Sequence, residues 1–98
     1  MKKQIEATYG RPAGIIKAMG HPTRLFILNA LKKRELCVCE LTKKVGDDVS
    51  TISKHLLVLK NAGLVASRRE GNWLHYRLLC PCVLDFAACV SKKVISNV

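Results

Sequence analysis

Four of the five cysteines in this 98-residue chain fall in two Cys-X-Cys pairs, Cys37-Val38-Cys39 and Cys80-Pro81-Cys82, and the fifth is Cys89. Thiolates are soft ligands that select arsenic(III), antimony(III), cadmium, lead, zinc or copper(I) over hard cations. Lys32, Lys33 and Arg34 precede the first pair, and cationic neighbours at a helix N-terminus favour the thiolate form. On a regular helix, residues at i and i+2 point about 200° apart. Cys37 and Cys39 therefore share one ion only where the helix start is unwound, so ligand binding there would reshape that helix.

The other three cysteines are the source of a third ligand. An extended chain around Pro81 directs Cys80 and Cys82 to the same side. Cys82 and Cys89 are seven residues apart, on one helical face but about 10 Å apart along it. One helix cannot close a single ion with both, so a partner helix or the first pair must complete a site, and the preferred set is Cys37, Cys39 and a C-terminal cysteine, Cys82 ahead of Cys89. Two separate thiol sites are the alternative, and each C-terminal cysteine also has a plain reading as a small core residue. Paired thiols also suit sensing of oxidants or reactive sulfur through a disulfide or polysulfide bridge. A structural zinc site spanning the two pairs is weaker, since neither has the usual C-x₂-C spacing. A thiol oxidoreductase would need C-x-x-C and a βαβ pattern, and neither occurs. The chain reads as a binding protein, not an enzyme. His21, His55 and His75 form no metal-ligand spacing.

The net charge of +10 points to an anionic polymer as partner. No apolar run approaches the ~20 residues of a spanning helix, which weakens a membrane role. The first residues lack the apolar stretch of a secretory signal, so the sequence predicts a reducing cytoplasmic address. At this length one domain is expected over 1–98, with a core small enough that oligomerisation would support it.

The elements that must position these residues follow from period and breakers. Residues 1–14 read as an irregular arm because of Gly10, Pro12 and Gly14, with a short helix through Ile15, Ile16 and Met19. Pro22 opens a second helix carrying Leu25, Leu28 and Leu31 on one stripe. LCVCELTKKVG reads as a short helix closed by Gly46, and Ser50 or Asp48 caps the next. There Ile52, Leu56 and Leu59 face the core, while Ser50, Thr51, Ser53 and Lys54 occupy the other side, with His55 close to them. LVASRRE and WLHYRLL flank Gly71-Asn72 as a hairpin, and Val83, Phe86 and Val90 mark a face of a final helix over 82–97. Two helices joined by a tight turn, then a basic hairpin, are the parts of a winged helix-turn-helix. Small polar and cationic side chains at the start of a recognition helix reach base edges and phosphates. Arg68 and Arg69 near the hairpin tip suit a wing that grips the DNA backbone or minor groove.

Read in order, AMGHPTRLFIL, ELCVCEL, VSTISKHLLVLKNAGLV and REGNWLHYRL resemble the arsenic-repressor (ArsR/SmtB) family of metal-responsive repressors, over roughly residues 15 to 79. The resemblance implies a mainly α protein with a β-hairpin that dimerises through its first and last helices. It also implies a repressor of double-stranded operator DNA, released by an inducer. By that resemblance Ser50, Thr51, Ser53 and Lys54 lie in the recognition helix, and Arg68 to Trp73 form the wing. Cys37 and Cys39 are then ligands for arsenic(III) or antimony(III), with cadmium, lead or zinc as alternatives. The sequence departs from the pattern at Thr42, where the arsenic-type members carry a third cysteine. Residues 1–36 hold no cysteine, and the zinc-type site on the last helix lacks its histidine and has Ala87 in place of an expected ligand.

Overall fold

The computed structural model describes residues 1–96, in the order α1 (Lys2–Met19), α2 (Pro22–Ala30), β1 (Leu36–Cys37), α3 (Val38–Val45), α4 (Val49–Asn61), β2 (Val65–Glu70), β3 (Trp73–Leu78) and α5 (Cys82–Ser96). The expected end of the last helix at Asn97 lies outside the described residues. The strands form one antiparallel sheet in the order β1-β3-β2.

Two expectations need correction. Residues 1–14 are not an irregular arm, because α1 runs unbroken from Lys2 through Pro12 to Met19. Proline's fixed φ fits a helix, and its cost is the lost bond to the carbonyl four residues back. That carbonyl belongs to Thr8, on an exposed stretch where water can serve it. Ile15, Ala18 and Met19 anchor the C-terminal half of α1 to the core. The second correction is β1. Leu36 and Cys37 do not begin a helix but pair with Tyr76 and His75 of β3.

Elsewhere local chemistry dictates the elements as expected. His21 caps α2, its Nδ1 accepting from the Thr23 amide at 3.1 Å, and Pro22 opens the helix. Gly46 ends α3 at φ +81°, in the left-handed region that glycine enters without a Cβ clash. Gly71 takes the first position of the two-residue wing turn at φ +61°. Between α2, α3, α4 and the sheet lies an aliphatic core that includes Ile27, Leu28, Leu36, Leu41, Ile52, Leu56, Leu59, Leu64 and Val65. Among the described residues the core contains no buried polar or charged side chain. Leu56 is fully buried, so truncating it to alanine would cost about 2–5 kcal/mol and tilt the recognition helix's seat. On α1, Ile5, Tyr9 and Ile16 are exposed, and on α5 so are Phe86 and Val90.

Candidate functional site

The start of α4 is held by Asp48, whose carboxylate accepts from the Thr51 amide at 2.7 Å and the Ser50 hydroxyl at 2.9 Å. These bonds, the Thr51 amide first, hold the Asp48 carboxyl below its ordinary range. Asp48 is thus the cap, and Ser50 is engaged with it inside the first turn. At 100° per residue, Ser50, Ser53, Lys54 and Leu57 share the face opposite Ile52, Leu56 and Leu59. Ser53, Lys54 and Leu57 are exposed there, while Thr51 is half-buried at the flank.

His55 does not join that outer face. Its ring lies 4.5 Å from that of His21, and its Nδ1 accepts from Arg24 Nε at 3.2 Å. Burial, followed by the neighbouring His21 and Arg24, pushes the His55 pKa below its ordinary value. Arg24 also donates to the Ala18 carbonyl at 2.9 Å, so one guanidinium ties α1, α2 and α4 together. Nothing in the sequence pattern singles out Arg24, because only the fold brings Ala18 and His55 to it.

In the wing, Arg68 and Arg69 have different surroundings. Arg68 donates from Nε to Glu35 at 2.7 Å and from a terminal nitrogen to Glu70 at 2.6 Å. Both carboxyls are thereby held below their ordinary range, and Arg68 stays charged at any working pH. Arg69 is exposed, and among the described residues it makes no ion pair. Trp73 stands beside the turn, also exposed. Glu35, two residues before Cys37, therefore links the wing to the approach to the first cysteine pair.

Cys37 is buried at the end of β1 and is the N-cap of α3, with extended backbone angles of φ −82° and ψ 163°. The helical separation of i and i+2 does not apply, because only Cys39 is helical. The two Cα atoms are 5.4 Å apart, and the sulfurs meet in a disulfide. The two sulfurs thus lie on one side without any unwinding of the helix. The Cys37 sulfur also accepts from the Glu40 amide at 3.4 Å, while the Glu40 carboxylate accepts from the Cys37 amide at 3.1 Å. This reciprocal bond is a capping box with sulfur in the place of a hydroxyl. Arg34 pairs with the same carboxylate at 2.9 Å, and the Cys37 amide and Arg34 together hold it below the ordinary range. The C-x-x-E spacing carried this signal, masked by cysteine in the cap position. The Thr42 hydroxyl donates to the Val38 carbonyl at 2.8 Å.

Cys80 and Cys82 lie with their sulfurs 2.8 Å apart, yet Pro81 between them stands in a turn leading into α5 and not in the extended chain expected there. Cys80 packs half-buried against the core, while Cys82, the first residue of α5, and Cys89 are exposed. The contact with Cys80 pushes the Cys82 thiol above its ordinary value. Among the described residues no three His, Cys, Asp or Glu side chains gather as a metal site. Within one chain, then, neither Cys82 nor Cys89 completes a set with Cys37 and Cys39.

The α3–turn–α4 pair, the exposed face of α4 and the basic hairpin define a winged helix-turn-helix protein of the transcription-regulator class. A sequence profile described as bacterial regulatory protein, arsR family, matches residues 21–67. An HTH-type transcriptional regulator of Methanocaldococcus jannaschii is 43% identical over 72 residues, which span 72% of this chain and 81% of that protein. The arsenical resistance operon repressor of Escherichia coli is 40% identical over 68 residues, 68% of this chain and 58% of that one. Among solved structures, NolR from Sinorhizobium fredii superposes with a TM-score of 0.78 at 35% identity, covering 94% of this chain and 90% of its own. Reduced HlyU from Vibrio cholerae gives 0.76 at 30% identity, with coverage of 93% and 96%. The homodimeric winged helix-turn-helix DNA-binding domain of a Mycobacterium bovis protein gives 0.76 at 32%, with coverage of 95% and 84%. The chain belongs to the arsR family of bacterial regulatory proteins and is a DNA-binding transcriptional regulator.

Proposed function

We propose that this regulator is a homodimeric repressor that leaves its operator when arsenic(III) or antimony(III) binds the thiolates of Cys37 and Cys39. The observation that carries the reading is the double position of Cys37, which ends strand β1 and caps α3 through its sulfur. A thiophilic ion bonded to that sulfur competes with the Glu40 amide for its lone pairs. The cap of α3 then loosens on one side, and the β1–β3 pairing carries the disturbance toward the wing on the other. By linkage, DNA lowers inducer affinity by the same factor as inducer lowers DNA affinity. The arsenical repressor of Escherichia coli, a relative by sequence, favours arsenic among the thiophilic inducers. Cadmium, lead or zinc would compete for the same sulfurs.

Pyramidal arsenic(III) takes three donors, and the third is supplied by Cys82 or Cys89 of the other protomer. Exposed apolar side chains on α1 and α5 suit the dimer face, and a structural neighbour is itself homodimeric. Ser50, Thr51, Ser53 and Lys54 face the major groove, and Arg69, with Arg68 when released from its carboxylates, meets the backbone. His55 supports α4 from behind. The whole of 1–98 acts as one unit in the cytoplasm, where reducing conditions keep the thiolates free.

Arsenite titration of the reduced chain tests the ligand assignment through sulfur-to-arsenic absorbance. Cys37→Ser and Cys39→Ser should each abolish it, and a Cys37→Ser protein that binds like the unaltered chain contradicts the reading. A second reading is favoured by the contact of the Cys37 and Cys39 sulfurs: the same pair acts as a dithiol switch for oxidants or reactive sulfur. In that case peroxide releases DNA without arsenite, and reductant restores binding.

A further inference from the structure

We propose that in the arsenic-free protein Cys80 and Cys82 form a second thiol pair, which closes to an intrachain disulfide on reaction with a hydroperoxide and fixes how α5 leaves the wing. The two sulfurs are 2.8 Å apart. Tetrahedral zinc, with Zn–S of about 2.3 Å, would hold them about 3.8 Å apart, whereas a disulfide needs about 2.05 Å. The observed separation is nearer to the bond.

The pair sits at a mechanical junction. The Leu79 amide donates to the Leu64 carbonyl at 2.9 Å, which holds the end of β3 against the start of β2. The Cys80 carbonyl accepts from the Val83 amide at 3.3 Å, and that of Pro81 from Leu84 at 3.0 Å, so the first turn of α5 is built on this segment. Cys80 is anchored against the core, while Cys82 faces solvent on the first residue of the helix. A bond between them ties the free end of that turn to the fixed one. Since α5 is the proposed dimer helix, its direction sets the spacing of the two recognition helices, which must match the half-sites.

The chemistry balances without a metal. The exposed Cys82 sulfur gives up its proton and attacks the peroxide oxygen; the departing alkoxide or hydroxide takes that proton and leaves as alcohol or water, and the sulfur becomes a sulfenic acid. The Cys80 thiolate then attacks that sulfur and expels its oxygen as water. Overall, two thiols and one hydroperoxide give a disulfide, an alcohol and a water, with two electrons passing from sulfur to the peroxide.

The test uses the full chain carrying Cys37→Ser and Cys39→Ser, which removes the proposed arsenic site, so that failure of that reading leaves this outcome untouched. Reduced protein is treated with one equivalent of hydrogen peroxide. Two of the remaining thiols should disappear, fragmentation should map a Cys80–Cys82 bond, and the chain should lose two hydrogens in mass without crosslinking to a second copy. Affinity for a duplex selected from a random pool should change at least about fivefold and recover with dithiothreitol. A further Cys82→Ser change, at an exposed position, should abolish the response while circular dichroism stays the same. Oxidation confined to Cys89, links between chains, or a Cys80–Cys82 bond that leaves DNA affinity unchanged would each overturn the proposal.

Discussion

The sulfur of Cys37 accepts the Glu40 amide while the Glu40 carboxylate accepts the Cys37 amide, so the cysteine that bonds to Cys39 also caps α3. The cap and the proposed ligand role of Cys37 are therefore separable by substitution. Under reducing conditions Cys37→Ala removes the cap acceptor and should lower stability by about 1 kcal/mol, whereas Cys37→Ser restores an oxygen acceptor and should keep it. Urea unfolding distinguishes the two. Equal midpoints for both variants would mean that the sulfur bond does not hold the helix.

The two arginines of the wing differ in their partners. Glu35 and Glu70 occupy Arg68, whereas Arg69 makes no ion pair among the described residues. Arg69→Ala should weaken duplex binding more than Arg68→Ala does. Glu35→Gln frees part of the Arg68 guanidinium, so it should tighten binding and steepen the salt dependence toward one more phosphate contact. A Glu35→Gln protein that binds more weakly would contradict this arrangement.

Acid should loosen the seat of the recognition helix. The His55 pKa is depressed below its ordinary 6.5 by burial first, then by His21 and Arg24, with Asp47 opposing. A depressed pKa means that the unfolded chain binds more protons, so this contribution is present above pH 6.5 and is lost as pH falls through the folded value. The melting temperature should fall from pH 7 to about 5.5, and fall less in His55→Gln, whose amide oxygen can still accept from Arg24. Equal losses in both proteins would remove His55 as the cause.

The face predicted for dimerisation was visible in the sequence only as an apolar period. In the fold Val83 packs into the core, while Phe86, 50% exposed, and Val90, 42% exposed, are left uncovered. Phe86→Asp should lower the sedimentation coefficient toward that of a monomer and weaken binding to two-half-site DNA. An unchanged coefficient would place the dimer contact elsewhere.

How far the sequence could be read depended on how local each interaction is. Ile52, Leu56 and Leu59 announce the inner face of α4 because helix period is a property of one segment. Pro22, Gly46 and Gly71 mark their boundaries for equally local reasons. The sequence shows only the C-terminal end of α1, because Gly10, Pro12 and Gly14 argue locally against the longer helix that Ile15, Ala18 and Met19 secure by packing. β1 was missed because two residues carry no alternation, and Leu36 and Cys37 become a strand only by pairing with Tyr76 and His75. The same limit hid the capping role of Cys37, the inward turn of His55 onto Arg24 and the Glu35 hold on Arg68. Each depends on partners distant in sequence or on a cap chemistry that cysteine rarely supplies.

The central claim is that the thiolates of Cys37 and Cys39 control DNA occupancy. The direct measurement is fluorescence anisotropy of a selected duplex bound to reduced protein, titrated with arsenite, for the unaltered chain and for Cys37→Ser. Arsenite should release DNA from the unaltered protein, with affinity falling about 5- to 150-fold, and should leave the Cys37→Ser complex intact. Release of both proteins at the same arsenite concentration would contradict it.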